Sequence, residues 1–255
     1  LREHEELRIE VQAVVEFASF TPAPERLGDE DWKGLEPSQL SDDHFDMLGA
    51  SKFARPSADL LTFMKIADIE KPIGDPLSAM KTLNRAIYHS FEYESGITQV
   101  HSPIEVALRG RRGVCQDFSH VMIAVARQWG IPTRYVSGYM YHRGNRDRSE
   151  ADATHAWVEA WLPSLGWVGF DPTNNVMAEE RHVRAAVGRD YADVPPTRGT
   201  FKGLADSELS IAVAIEPTQA PVRHEDFLKV ARPMVSTATP SMPERLYHQQ
   251  QQQQQ

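Results

Sequence analysis

The chain is predicted to be an α+β domain in which helices come first and an antiparallel sheet follows. Apolar residues recur at helical spacing as far as residue 129, and from residue 134 onward they alternate with polar ones. The period changes at Gly130-Ile131-Pro132, a helix stop followed by extended chain. The one cysteine, Cys115, opens the last helix of the first half.

Residues 7–17 alternate apolar and polar, as a half-buried strand does. With no partner strand before it, this segment fits either the tail of an upstream β domain or an edge strand of this one. Residues 21–32, rich in Pro, Gly and acids, form a connector. From Ser57, with Pro56 before it, Leu60, Leu61, Met64 and Ile66 fall at helical spacing. Asp75-Pro76 starts a second helix over 77–91, with Met80, Leu83, Ile87 and Phe91 on one stripe. A third helix over 115–129 buries Phe118, Met122, Val125, Ala126 and Trp129. Strands are expected over 134–141, 155–162 and 167–171, with one more within 201–216. The domain reading is a β remnant and connector over 1–40, a catalytic domain over 41–216, and a low-complexity, disordered tail over 217–255 ending in a glutamine run.

Composition narrows the function. Apolar residues make up 41% of 255, enough for a sizeable core, and the net charge of −9 argues against nucleic acid or an anionic membrane as partner. No apolar run reaches the ~20 residues of a membrane span and no signal peptide is visible. One cysteine excludes a disulfide framework and fits a reducing cytosol, so a cytoplasmic location is expected.

Cys115 lies between Gly113 and the polar pair Gln116-Asp117, at a helix N-terminus whose free amides favour a thiolate and can bind a developing oxyanion. Asp117 works against the thiolate and favours the first helical turn. A base must come from the histidines. His120 sits ~140° round the helix from Cys115, and His142, His182 and His224 lie in polar stretches without a periodic anchor. His155 begins a strand and shares a face with Trp157, Glu159 and Trp161; on the next strand Trp167, Gly169 and Asp171 share a face. If Trp161 pairs with Trp167 across a loop over 162–166, Asp171 is the diagonal neighbour of His155. A one-residue slip would put them on opposite faces. Cys115, His155 and Asp171 are therefore the candidate catalytic residues, with Asp171 fixing the tautomer of His155. Glu159, ~13 Å along the strand, is too far to substitute. The three indoles would wall a cleft or pack as ordinary core.

Four blocks carry a resemblance: Gly113-Val114-Cys115-Gln116-Asp117-Phe118-Ser119-His120, Gly130-Ile131-Pro132-Thr133-Arg134-Tyr135-Val136-Ser137-Gly138-Tyr139, Thr154-His155-Ala156-Trp157-Val158-Glu159 and Phe170-Asp171-Pro172-Thr173. In these the chain resembles the transglutaminase-like superfamily, most closely its bacterial members, many of them described as cysteine proteases. The resemblance is strong over residues 57–175. It implies a papain-like fold with the nucleophile at the start of a central helix. It also implies a triad of Cys115 as nucleophile, His155 as base and then acid, and Asp171 as the orienting carboxylate. Bacterial relatives often carry a β-rich domain ahead of the core, which would account for the strand-like start. An upstream aromatic residue that assists the oxyanion corresponds best to Tyr93. The calcium-site elaboration of animal transglutaminases is not visible, so no metal and no cofactor are expected.

The expected activity is thiol-dependent acyl transfer through a thioester: hydrolysis of a peptide or side-chain amide in a peptide or protein substrate. Transamidation on the same residues is the close alternative. A silent peptide-binding scaffold is the alternative of another class, and the intact Cys-His-Asp set counts against it. A metal site built on Cys115 fails on spacing, because no second cysteine or close histidine pair accompanies it.

Overall fold

The computed structural model describes residues 9–17, 22–28, 30–71, 74–143, 147–150, 153–195 and 212–218. Two short helices, α1 (Asp31–Gly34) and α2 (Asp42–Asp46), precede the main helical layer of α3 (Ala58–Ile66), α4 (Pro76–Ser90), α5 (Ile104–Gly110) and α6 (Cys115–Gln128). The helix starts follow the local chemistry. Ser57 accepts the Leu60 N–H at 3.2 Å, and Asp75 accepts the Ser78 N–H at 3.0 Å with Pro76 in the first turn. α6 is the centre of the molecule: every residue from Cys115 to Arg127 except Gln116 is buried, so more than the one predicted stripe of it lies inside.

The sheet holds five strands in the order β6-β5-β4-β3-β7, all neighbours antiparallel. These are β3 (Thr133–Met140), β4 (His155–Leu162), β5 (Gly166–Asp171), β6 (Val176–Met177) and β7 (His182–Gly188). Ala156, Val158, Ala160 and Leu162 of β4, with Phe170 of β5, join α6 residues such as Val121, Met122 and Val125 in one core. The opposite face of the sheet is more polar. There Glu159 lies between Arg134 at 2.6 Å and Arg184 at 3.1 Å. A separate parallel pair, β1 (Glu92–Tyr93) on β2 (Arg112–Gly113), aligns Tyr93 with Gly113 and so fixes the backbone two residues ahead of Cys115.

Helices packed on an antiparallel sheet are what the change of period predicted, and their papain-like arrangement is what the resemblance implied. The differences lie at the margins. Residues 9–17 are exposed and pair with no strand among the described residues, and 7 and 8 lie outside them. Alternation alone does not make a strand when no edge accepts it. Of the strand expected within 201–216, residues 212–216 are unpaired and the rest lies outside the described residues, as does the tail beyond 218. α5, β6 and β7 were not anticipated. β7 is an edge strand whose exposed and buried residues do not alternate, so period 2 does not reveal it.

Candidate active site

Cys115 is the first residue of α6 and is buried at 8% exposure. Val114, at the N-cap, carries no side-chain acceptor for the first-turn amides of α6. Asp117 turns away to brace the approach. Its Oδ2 accepts the Val114 N–H at 2.9 Å and the Thr98 hydroxyl at 2.6 Å. Burial pushes this carboxyl up to about 6 against the lowering effect of those two bonds. A Cβ on Gly113 would stand 2.6 Å from Asp117 Oδ2, so glycine is required for this packing.

His155 opens β4 and Asp171 closes β5. Trp161 pairs with Trp167 and Val158 with Phe170, the register that puts the two on one face. His155 Nε2 lies 2.8 Å from Asp171 Oδ2, and both side chains are almost wholly buried. Nδ1 of the same ring is buried without a hydrogen bond, and Cys115 is among the groups acting on the imidazole. Burial opposes protonation of His155. The charge and hydrogen bond of Asp171, with Cys115 after them, outweigh it and raise the imidazole above its ordinary range. Asp171 is held far below the carboxylate range: burial would raise it, and His155 and His182 more than offset that.

A narrow pocket opens onto the sulfur, lined by Thr98, Val100, Gln116, Tyr135, Ser137 and Thr154 together with His155 itself. Gln116 donates to the Val100 carbonyl at 2.8 Å and so ties the wall to α6.

Sequence reasoning passed over two residues. His182 places Nε2 3.2 Å from Asp171 Oδ2, and Asn174 donates its side-chain amide to the same oxygen at 2.8 Å. His182 was set aside because the edge strand that carries it, β7, does not alternate and so offers no periodic anchor. Asn174 lies in a turn, where an Asn is ordinarily a turn former. Other expectations need correcting. Trp157 does pack on His155, with rings 6.1 Å apart. Trp161 and Trp167 share its face but lie at the far end of the strands, where Trp161 stacks on His44 at 3.8 Å and Arg134 covers Trp167 at 4.1 Å. They wall no cleft at Cys115. Tyr93 packs edge-on against Phe118 and stays within electrostatic reach of Cys115, its hydroxyl pKa raised first by burial and then by Cys115, while the tyrosines lining the pocket are Tyr135 and Tyr191. His120 is stacked between Phe53 and Tyr135, away from the base position, and His224 lies outside the described residues.

His155, Asp171 and His182 bring three potential ligand atoms within 4.8 Å of one another. The hydrogen bonds argue against a metal there. The Glu179 N–H donates to His182 Nδ1 at 3.2 Å, so the proton of the neutral ring resides on Nε2, the atom a metal would need bare.

The residues from 65 to 172 match the model of the transglutaminase-like superfamily. Over 217 residues, 83% of this chain and 74% of the relative, the sequence is 35% identical to uncharacterized protein ML0607 of Mycobacterium leprae. The chain belongs to the transglutaminase-like superfamily. The crystal structure of a "Putative Cysteine Protease" from Cytophaga hutchinsonii matches at TM-score 0.53 and 28% identity, covering 63% of this transglutaminase-like chain and 52% of that one. A protein-glutamine gamma-glutamyltransferase of Pseudomonas aeruginosa is 36% identical over 103 residues, 37% of this chain and 15% of that enzyme. Among the described residues no helix is long and apolar enough to cross a membrane.

Two buried histidines set an expected pH dependence of stability. His155 is raised in the fold, so its contribution is complete below about pH 6.5 and is lost as pH rises through the folded value. His120 is pushed down to about 3 by burial, with Asp190 opposing and Arg127 adding, so its contribution is complete above about pH 6.5 and is lost below it. Asp117, raised in the fold, opposes His120 on the acid side, so urea unfolding across pH should show its clear fall on the alkaline side, above about pH 6.5. The fall on the alkaline side should flatten in His155→Gln, and an unchanged alkaline slope would refute the assignment.

Proposed function

We propose that the protein is a thiol acyl-transfer enzyme that hydrolyses peptide or side-chain amide bonds through a thioester on Cys115. The observation that carries this is His155 held by Asp171 through Nε2, with its buried Nδ1 left without a hydrogen bond and Cys115 acting on the ring. The Cys115 thiolate attacks the carbonyl carbon, and the oxygen takes the negative charge toward the first-turn amides of α6. As the C–N bond breaks, the His155 imidazolium gives its proton to the departing amine, leaving a thioester and a neutral imidazole. Neutral His155 then takes a proton from water as its oxygen attacks the thioester. Collapse breaks the C–S bond and returns the acid product, the thiolate and the imidazolium.

Transamidation is the second reading, with an amine in place of water. The stretch shared with the Pseudomonas gamma-glutamyltransferase supports it. Hydrolysis is preferred because it needs no amine site, and water is always present. A cytoplasmic setting, where a lone thiol stays reduced, belongs to the same proposal. Recovery of the protein in a periplasmic fraction would count against it.

The test is intact mass after a short iodoacetamide pulse from about pH 5 to about pH 9, comparing wild type with His155→Ala. Rapid alkylation of Cys115 persisting into acid, and weakened in the variant, is expected. Slow alkylation rising only near about pH 8.5, alike in both proteins, would leave a silent scaffold. With peptide and glutamine-amide substrates, mass then separates acid products from amine adducts.

A further inference from the structure

We infer that His182 is a positioning residue of this site: a neutral N–H donor that draws charge from Asp171 and so limits how strongly Asp171 holds the proton on His155. This rests on the thiol–imidazole reading above.

Asp171 Oδ2 accepts three side-chain donors, from His155, His182 and Asn174, and Oδ1 accepts the Thr173 and Asn174 backbone amides at 2.9 and 3.2 Å. Without His182, Asn174 and the two amides still fix the carboxylate's place. What His182 adds is electrostatic, because a hydrogen bond to a carboxylate stabilises its charge and weakens its pull on a neighbouring cation. Its tautomer is set from behind by the Glu179 N–H on Nδ1. Its ring is set from the side by Trp157, whose indole lies 5.2 Å from His182 and 6.1 Å from His155. The other titratable groups facing the pair are Cys115 from α6 and His142 beyond the end of β3, the latter backed by Asp147 and Arg181. Neither of these donates to Oδ2, and Asn174, the other neutral donor there, already makes its bond in the presence of His182.

The test reads alkylation of Cys115 by iodoacetamide against pH, which needs no substrate. A thiolate–imidazolium pair gives two inflections, the upper one marking loss of the His155 proton. In His182→Phe the upper inflection should move up by about half a unit to one unit, a modest share of what a charged hydrogen bond can supply. In His182→Gln, whose amide nitrogen can stand where Nε2 stood, it should return toward wild type. An upper inflection that stays put or moves down in His182→Phe overturns the inference. A purely structural role would lower the melting temperature without moving the inflection. If His182→Phe does not fold, the ring nitrogens of the wild-type protein decide by NMR at about pH 7. The neutral Nε2–H tautomer of His182 is expected, and a doubly protonated ring overturns the inference. Should wild type show only one ordinary thiol inflection, the acyl-transfer reading itself has failed, and the NMR result still reports on His182.

Discussion

Replacing Asp171 by alanine is expected to lower stability by about 3–5 kcal/mol and acyl transfer by about four orders of magnitude. The carboxylate is fully buried and accepts from two imidazoles, one side-chain amide and two backbone amides. Removing it leaves those donors desolvated with nothing to bond, the costly direction of the hydrogen-bond asymmetry. The imidazole also loses the partner that fixes its tautomer. Asp171→Asn separates the two effects, since it keeps the volume but turns an N–H toward at least one donor. It should recover part of the stability and little of the activity. Urea unfolding measures the first quantity and turnover of a peptide or glutamine-amide substrate the second, with Cys115 alkylation reporting on the ion pair. A variant that melts and reacts like wild type would remove Asp171 from the site.

The second large effect is expected at Gly138, within β3. It pairs with His155 across β3 and β4, and with Arg184 of β7 beside a register shift. A Cβ there would run into the Val183 carbonyl and come within 2.7 Å of the Trp157 ring. Neither can yield cheaply: the first is backbone in a strand, and the second is wedged against both imidazoles. Gly138→Ala should lower stability by at least about 3 kcal/mol, the upper end of overpacking, or roughly 6–12 °C in melting temperature for a chain of this size. Gly130→Ala makes the contrast. Gly130 has φ +82° and nothing within 4 Å of an added Cβ, so only the left-handed backbone is penalised, by about 1 kcal/mol. Thermal unfolding of the two variants ranks them, and the reverse order would refute this account of the sheet.

Much of this arrangement was legible beforehand, for identifiable reasons. Ser57 and Asp75 announce their helices by local hydrogen bonds, which depend on nearby sequence only. The hairpin register was open by one residue, and of the two pairings the sheet adopts Trp161 with Trp167, the one that brings His155 and Asp171 to the same side. Long-range facts were not legible. His182 reaches Asp171 because β7 pairs with β3 at the far side of the sheet, a neighbour relation no periodicity encodes. Parity gives the three indoles one face but no distance along it, so Trp157 reaches His155 while Trp161 and Trp167 pack at the other end. Residues 9–17 look like a strand and have no partner among the described residues, because pairing is a property of two segments.

Sheet order differs from chain order in a way that bears on synthesis. Cys115, His155, Asp171 and His182 leave the ribosome in that sequence, while β7 must pass β5 and β4 to reach its seat against β3. A nascent chain therefore carries its thiol before the network that governs the imidazole is closed. Among the described residues β7 is the last strand to be made, so His182 can join Asp171 only after every other residue of the site is already in the chain.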